Sequence, residues 1–231
     1  YARIKKLDNG RFAIENSVTK AKDQTYALYN LTQEQLSKTL MPVGDYTKDE
    51  IRKIAEDIGL LVSHKPDSQD LCFIPDGDYA AYIKENTDKG NKPGNFVDLK
   101  GNVLGQHKGI IHYTVGQRKG LGISLGHPAF VLEIRPETNE IVLGPDEESL
   151  SYYVRANNVN FMSIPDLTKK RRVWGKIRYN HKGAWCTVEK TGDDEILCTF
   201  EEKQRAITPG QAIVLYENDM VLGGGTIIGN N

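Results

Sequence analysis

The chain has 231 residues, 39% hydrophobic and 26% charged, the balance of a folded protein with one large domain or two to three small ones. No apolar run approaches the roughly 18–20 residues a membrane helix needs and no basic start leads into an apolar stretch, which points to a cytoplasmic protein. A net charge of −1 excludes a histone-like polycation, and three cysteines with no CxxC spacing exclude a secreted disulfide framework and argue against zinc.

In chain order, Asp8-Asn9-Gly10 predicts a hairpin turn between Ala2-Arg3-Ile4 and Phe12-Ala13-Ile14. Thr32 with Gln35 fits a capping box opening a helix to about Leu40, and Thr47 with Glu50 fits a second. In that second helix Ile51, Ile54, Ala55 and Ile58 fall at i, i+3, i+4 and i+7, which predicts one buried stripe, and Gly59 is set to end it. A third helix is predicted from about Asp78 to Glu85.

Past the connector 88–94 the periodicity changes to short β runs separated by glycine turns. Residues 96–98, 103–104, 130–134 and 141–143 read as strands of a small β-rich unit, with Pro136 to Asn139 as a turn. Within it, Gly105-Gln106-His107-Lys108-Gly109 and Gly116-Gln117-Arg118-Lys119-Gly120-Leu121-Gly122 combine glycines with cations, the composition either of a plain turn or of a loop that approaches an RNA backbone. From about Tyr152 onward five to seven strands at short spacing predict an antiparallel barrel, clearest at 173–178, 184–190, 195–200 and 212–216. Gly223-Gly224-Gly225 reads as a bulge or strand turn and not a nucleotide loop.

Two features carry chemistry. The first is Cys72, delivered by the polar run 66–70 into Leu71-Cys72-Phe73-Ile74, with His64 and Lys65 nearby as cations able to stabilise a thiolate. The same apolar surroundings also suit a cysteine that merely packs. The second is a basic run: Lys169, Lys170, Arg171, Arg172, Lys176, Arg178 and Lys182 set seven cations against one acid, Asp166, between positions 166 and 182. That is either a solvated face or a surface for nucleic acid. Cys186 and Cys198 fall inside predicted strands and read as barrel packing.

Seven segments in order resemble the tRNA-specific 2-thiouridylases, which place sulfur on C2 of the wobble uridine (position 34) of tRNA. They are Lys22-Asp23-Gln24 with Tyr26, Met41-Pro42-Val43-Gly44, residues 51–55, Asp67-Ser68 through Cys72-Phe73-Ile74, residues 114–122, Arg178-Tyr179, and Thr208-Pro209-Gly210-Gln211. The resemblance covers essentially the whole chain. It implies a mixed α and β architecture: the helical tail of an α/β ATP-pyrophosphatase domain over 1–76, a β-rich tRNA-binding domain over 77–147 and a C-terminal antiparallel β-barrel over 148–231.

It further implies that Cys72 is the thiol that carries sulfur as a persulfide, whose outer sulfur is nucleophilic and is released when a second thiol attacks. Lys22, Asp23, Gln24, Arg178, Tyr179 and Gln211 correspond to tRNA contacts. The expected partners are tRNAs of the lysine, glutamate and glutamine type and a cysteine desulfurase or sulfur-relay protein. ATP with magnesium would be held in a preceding domain, so the chain, which starts at Tyr1 without an initiator methionine, reads as a fragment inactive alone. Gln69-Asp70-Leu71, Cys186 and Cys198 match nothing functional in that family. Two other readings stay open: a tRNA-binding module in which Cys72 only packs, and a cysteine hydrolase with His64 or His107 as base, which lacks a recognisable His-Asn pair.

Overall fold

The computed structural model describes residues 1–61, 63, 74, 78–87 and 90–230. Strand and helix signals in the sequence translate into twelve strands and four α-helices among these residues. They divide into two compact units, residues 1–65, 152–203 and 208–231 in the first, and 66–151 with 204–207 in the second.

In the first unit β1 (Arg3–Lys6) and β2 (Phe12–Glu15) form the hairpin, antiparallel with Ile4 opposite Ile14, and Gly10 takes the positive φ of +80° its turn requires. Two short helices follow, α1 (Thr25–Leu28) and α2 (Gln33–Ser37). Both predicted capping boxes form, Thr32 with Gln35 on α2 and Thr47 with Glu50 on α3 (Lys48–Asp57), although α2 is only five residues long. The stripe on α3 is a correction. No residue of that helix is buried, and Ile54, Ile58 and Leu61 are exposed. Period alone fixes which side chains share a face. It does not supply the neighbour that covers them.

Six strands close the barrel: β7 (Leu150–Phe161), β8 (Arg171–Lys176), β9 (Ala184–Gly192), β10 (Glu195–Arg205), β11 (Ala212–Glu217) and β12 (Met220–Gly229). They run β12-β11-β8-β9-β10-β7, and the β12–β7 pairing shuts the ring. Alternation decides what faces inward: Val173, Cys186, Val188, Ile196, Cys198 and Phe200 are all buried, one residue in two along three neighbouring strands. Cys186 and Cys198 are free thiols in that interior, and the hydrogen bond between them, together with burial, pushes the Cys198 thiol upward. They pack, as their positions in the sequence imply.

Gly223, Gly224 and Gly225 lie within β12, where a side chain would collide with the carbonyls of Asn160, Ile213 and Asn157 respectively. Three successive glycines let one strand pair on both sides at barrel closure. The hairpin continues the sheet through Met220 opposite Glu15. Ala13, Ile14, Tyr26 and Leu36 then pack with Val214, Tyr216 and Val221 on the outer side of the barrel.

The second unit holds α4 (Tyr79–Asn86), capped by Asp78 accepting from the Ala81 amide at 2.9 Å. Its sheet is β3 (Gly94–Val97), β4 (Val103–His107), β5 (Phe130–Arg135) and β6 (Glu140–Gly144), in the order β4-β3-β6-β5 with β3 and β6 parallel. Phe96, Tyr113, Leu121, Val131, Ile141 and Leu143 form its core. No helix among the described residues is long and apolar enough to cross a membrane.

Candidate RNA-binding site

Cys72, with His64 and Lys65, lies outside the described residues. The geometry on which the site can be built is therefore that of the first unit.

Residues 20–22 make a single 3₁₀ turn that leads into α1. What fixes this corner is the carboxylate of Asp23. It accepts from the Ser17 amide at 2.9 Å, from the Thr25 amide at 3.0 Å and from the Thr25 hydroxyl. Asp23 is thus occupied internally, and Lys22 and Gln24 on either side are the ones whose side chains it aims. Gln24 donates its amide to the Tyr179 hydroxyl at 2.9 Å, and that hydroxyl donates to the Asp23 carbonyl at 3.2 Å.

Two segments separated by about 155 residues in the chain are in this way tied at one place. The Tyr179 ring meets the edge of Tyr26, centroids 6.1 Å apart. Tyr26 in turn donates to the Ala212 carbonyl at 2.8 Å, and burial pushes its pKa up to about 12, so it stays a neutral donor. Gln211, exposed, is adjacent to that carbonyl, its backbone held by Ile227 on β12 and by the turn at Gly210. The structure therefore brings Asp23, Gln24, Tyr179 and Gln211 to one end of the barrel. Arg178 and Lys22 are contiguous with members of that group in the chain.

The basic run divides. Lys170 pairs with Glu189 at 2.9 Å, Arg171 with Glu217 at 3.3 Å and Arg172 with Glu201 at 2.6 Å, while Arg172 also lies over the Trp185 ring at 4.0 Å. Lys190 holds Asp166, the acid of the run. Lys170, Arg171 and Arg172 are thus paired with carboxylates on β9, β11 and β10, the last of which lies one strand beyond β9. Two further lysines of the run, Lys176 and Lys182, line a cleft of about 370 Å³ together with Lys20, Trp174, Asp23 and Asn218. The sequence places Lys176 within the run and does not set it apart. The only signal that could have done so was its outward position on a strand next to the aromatic Trp174.

His107 in the second unit is buried, and both ring nitrogens are used. The Gly109 amide donates to Nδ1 at 3.1 Å, leaving Nε2–H to donate to the Asn139 carbonyl at 3.1 Å. Burial holds its pKa below the usual histidine range, and no nitrogen is left to act as a base. The glycine loop is also internally satisfied: Gln117 accepts from the Thr114 amide and donates to the Lys119 carbonyl, with Gly116, Gly120 and Gly122 at positive φ.

Three family models match the chain in succession: a tRNA methyl transferase HUP domain over residues 1–76, a tRNA methyl transferase PRC-barrel domain over 81–145 and an aminomethyltransferase beta-barrel domain over 151–227. Proteins called tRNA-specific 2-thiouridylase MnmA are similar along nearly all of it. That of Lachnoclostridium phytofermentans is 62% identical over 99% of this chain and 64% of its own length. That of Clostridioides difficile is 53% identical over 98% and 63%, and that of Carboxydothermus hydrogenoformans 48% over 98% and 62%. The chain belongs to the tRNA-specific 2-thiouridylase family. It spans somewhat under two thirds of the length of these family members. Among the described residues no group of three or more His, Cys, Asp or Glu side chains could hold a metal ion, and the sequence has no Walker-type phosphate loop.

Proposed function

We propose that the protein containing this chain is a cytoplasmic tRNA 2-thiouridylase, and that this chain supplies its sulfur carrier and much of its tRNA surface. The observation that supports this best is the pair of hydrogen bonds at the Tyr179 hydroxyl, accepted from the Gln24 amide and donated to the Asp23 carbonyl, which unites the segments that correspond to tRNA contacts in the family. Lys22, Gln24, Arg178, Tyr179 and Gln211 then meet the RNA, cations on phosphate and the exposed part of the tyrosine ring against a base. Asp23 acts through its neighbours, since its carboxylate is consumed by Ser17 and Thr25.

Cys72 takes a sulfane sulfur from a cysteine desulfurase or a relay protein, forming Cys72-S-SH. The outer sulfur is the nucleophile toward C2 of the wobble uridine at position 34, in tRNAs of the lysine, glutamate and glutamine type. A second thiol breaks the remaining S–S bond and frees the thiolated base. The displaced C2 oxygen would leave as part of AMP if ATP, held elsewhere in the complete protein, first adenylated it.

The test is Cys72→Ser in the complete protein. Loss of 2-thiouridine from tRNA with tRNA affinity unchanged is the expected result. Retained thiolation would leave Cys72 a packing residue and the chain a binding module only.

A further inference from the structure

Lys176 sits on the outer side of β8, where strand alternation sets Trp174 and Lys176 outward while Val173, Gly175 and Ile177 point into the barrel. The pairing of β8 with β11 sets Trp174 opposite Tyr216 and Lys176 opposite Val214. The N-terminal hairpin and α1 cover the surrounding surface with Tyr26 and Ala13 but leave the cleft open. Its lysines come from three separate segments: Lys20 from the 3₁₀ turn, Lys176 from the strand, and Lys182 from the connection that also bears Arg178 and Tyr179.

Among the described residues no carboxylate lies within ion-pair distance of Lys176, and its ammonium has the Tyr26 ring at 5.8 Å as its near neighbour. Burial lowers its pKa from the ordinary lysine value, with the more distant Asp23 acting against that. A half-buried cation without a counter-ion costs folding free energy. Retaining it in a cleft is accounted for when a ligand supplies the negative charge. Two carboxylates line the same cleft and are engaged, Asp23 by Ser17 and Thr25, and Asp219 by the Asn16 amide at 3.4 Å. Trp174 adds an aromatic surface, and its indole is held by Gly183, whose φ of +87° and missing side chain permit the loop to lie against it.

We propose that this cleft receives one nucleotide of the bound tRNA, its phosphate on Lys176 and Lys182 and its base against Trp174. This rests on the tRNA-binding function argued above and extends it to a position beyond Gln24 and Tyr179. A cleft of about 370 Å³ is of the size that small ligands occupy. A cation facing a phosphate and an aromatic ring facing a base is the usual division of labour in single-stranded RNA binding.

The chain contains two tryptophans, Trp174 and Trp185, so Trp185→Phe leaves Trp174 as the sole emitter. In that background, unmodified tRNA is titrated while affinity is followed independently by filter binding. Quenching of Trp174 in step with binding is expected, and Lys176→Met is expected to weaken affinity roughly tenfold and to reduce the slope of log affinity against log salt by about one. Lys182→Met, at an exposed position whose loss does not threaten folding, is expected to act in the same direction. Lys176→Met is also expected to unfold at an equal or higher urea concentration than the parent, since it removes an uncompensated cation. Were tRNA to bind with Trp174 emission unchanged, and both methionine variants to keep the parent affinity and salt slope, the inference would be overturned. No tRNA binding by the unsubstituted chain would overturn the functional reading itself.

Discussion

At the scale of single residues, charge is spent in two ways here, and hydrogen-bond partners separate them. Arg172 and Glu201 neutralise one another on the barrel surface, and such exposed pairs contribute little. Among the described residues Lys176 has no such partner, and it faces a cleft. His107 shows the same logic with a neutral group. Its two nitrogens are committed to the Gly109 amide and the Asn139 carbonyl, an arrangement that protonation of Nδ1 would break. With its pKa held down by burial in the folded protein, the unfolded chain takes up a proton first as pH falls past about 6.5. Stability contributed by His107 is therefore complete above that pH and declines below it, by at most about 1.4 kcal/mol per pH unit. His112, depressed by burial and by Lys108, acts with the same sign. Urea unfolding from pH 8 to pH 5.5 is expected to show this decline in the second unit, and His107→Gln to flatten part of it. An equally steep decline in the variant would mean His107 is not responsible.

At the scale of elements, what could be read from sequence was whatever is decided within a few residues. The Asp8-Asn9-Gly10 turn and the Thr47-Glu50 capping box form as their chemistry dictates, because donor and acceptor are neighbours along the chain. The fate of the stripe on α3 and of the cations at 170–172 depended on partners far away. Glu189, Glu201 and Glu217 are 19, 29 and 46 residues from the cations they meet, and nothing in a local window reveals them. The cleft was invisible for the same reason, since Lys20 and Lys176 converge only once the hairpin joins the barrel. The connection between β8 and β9 is the element on which the candidate site most depends, since it carries Arg178, Tyr179 and Lys182. Gly183 ends it at φ +87°, and an added methyl would overlap the Trp174 indole nitrogen. Gly183→Ala is expected to cost about 1–3 kcal/mol through strain and overpacking and to weaken tRNA binding by displacing Tyr179. Wild-type melting temperature and affinity in that variant would show the loop to be tolerant and the contact incidental.

At the scale of the whole molecule, the two units have separate cores. Ile14, Tyr26, Val214 and Val221 belong to one, and Phe96, Ile141 and Leu143 to the other, with no residue shared. Units with their own cores can fold as separate cooperative transitions. Both tryptophans lie in the first unit, so tryptophan emission reports that unit alone. Phe96 is fully buried between Tyr113 and His107, with ring centroids at 5.3 and 5.5 Å, and Phe96→Ala is expected to remove about 3–5 kcal/mol. That is a large share of the roughly 5–15 kcal/mol that stabilises a domain. In urea, amide protection at Val97 and Ile141 is expected to collapse at lower denaturant in this variant, while the tryptophan transition stays where it is in the parent. If both shift together by the same amount, the units unfold as one, and the strand connections that pass between them at 150–152 and 203–208 transmit the loss.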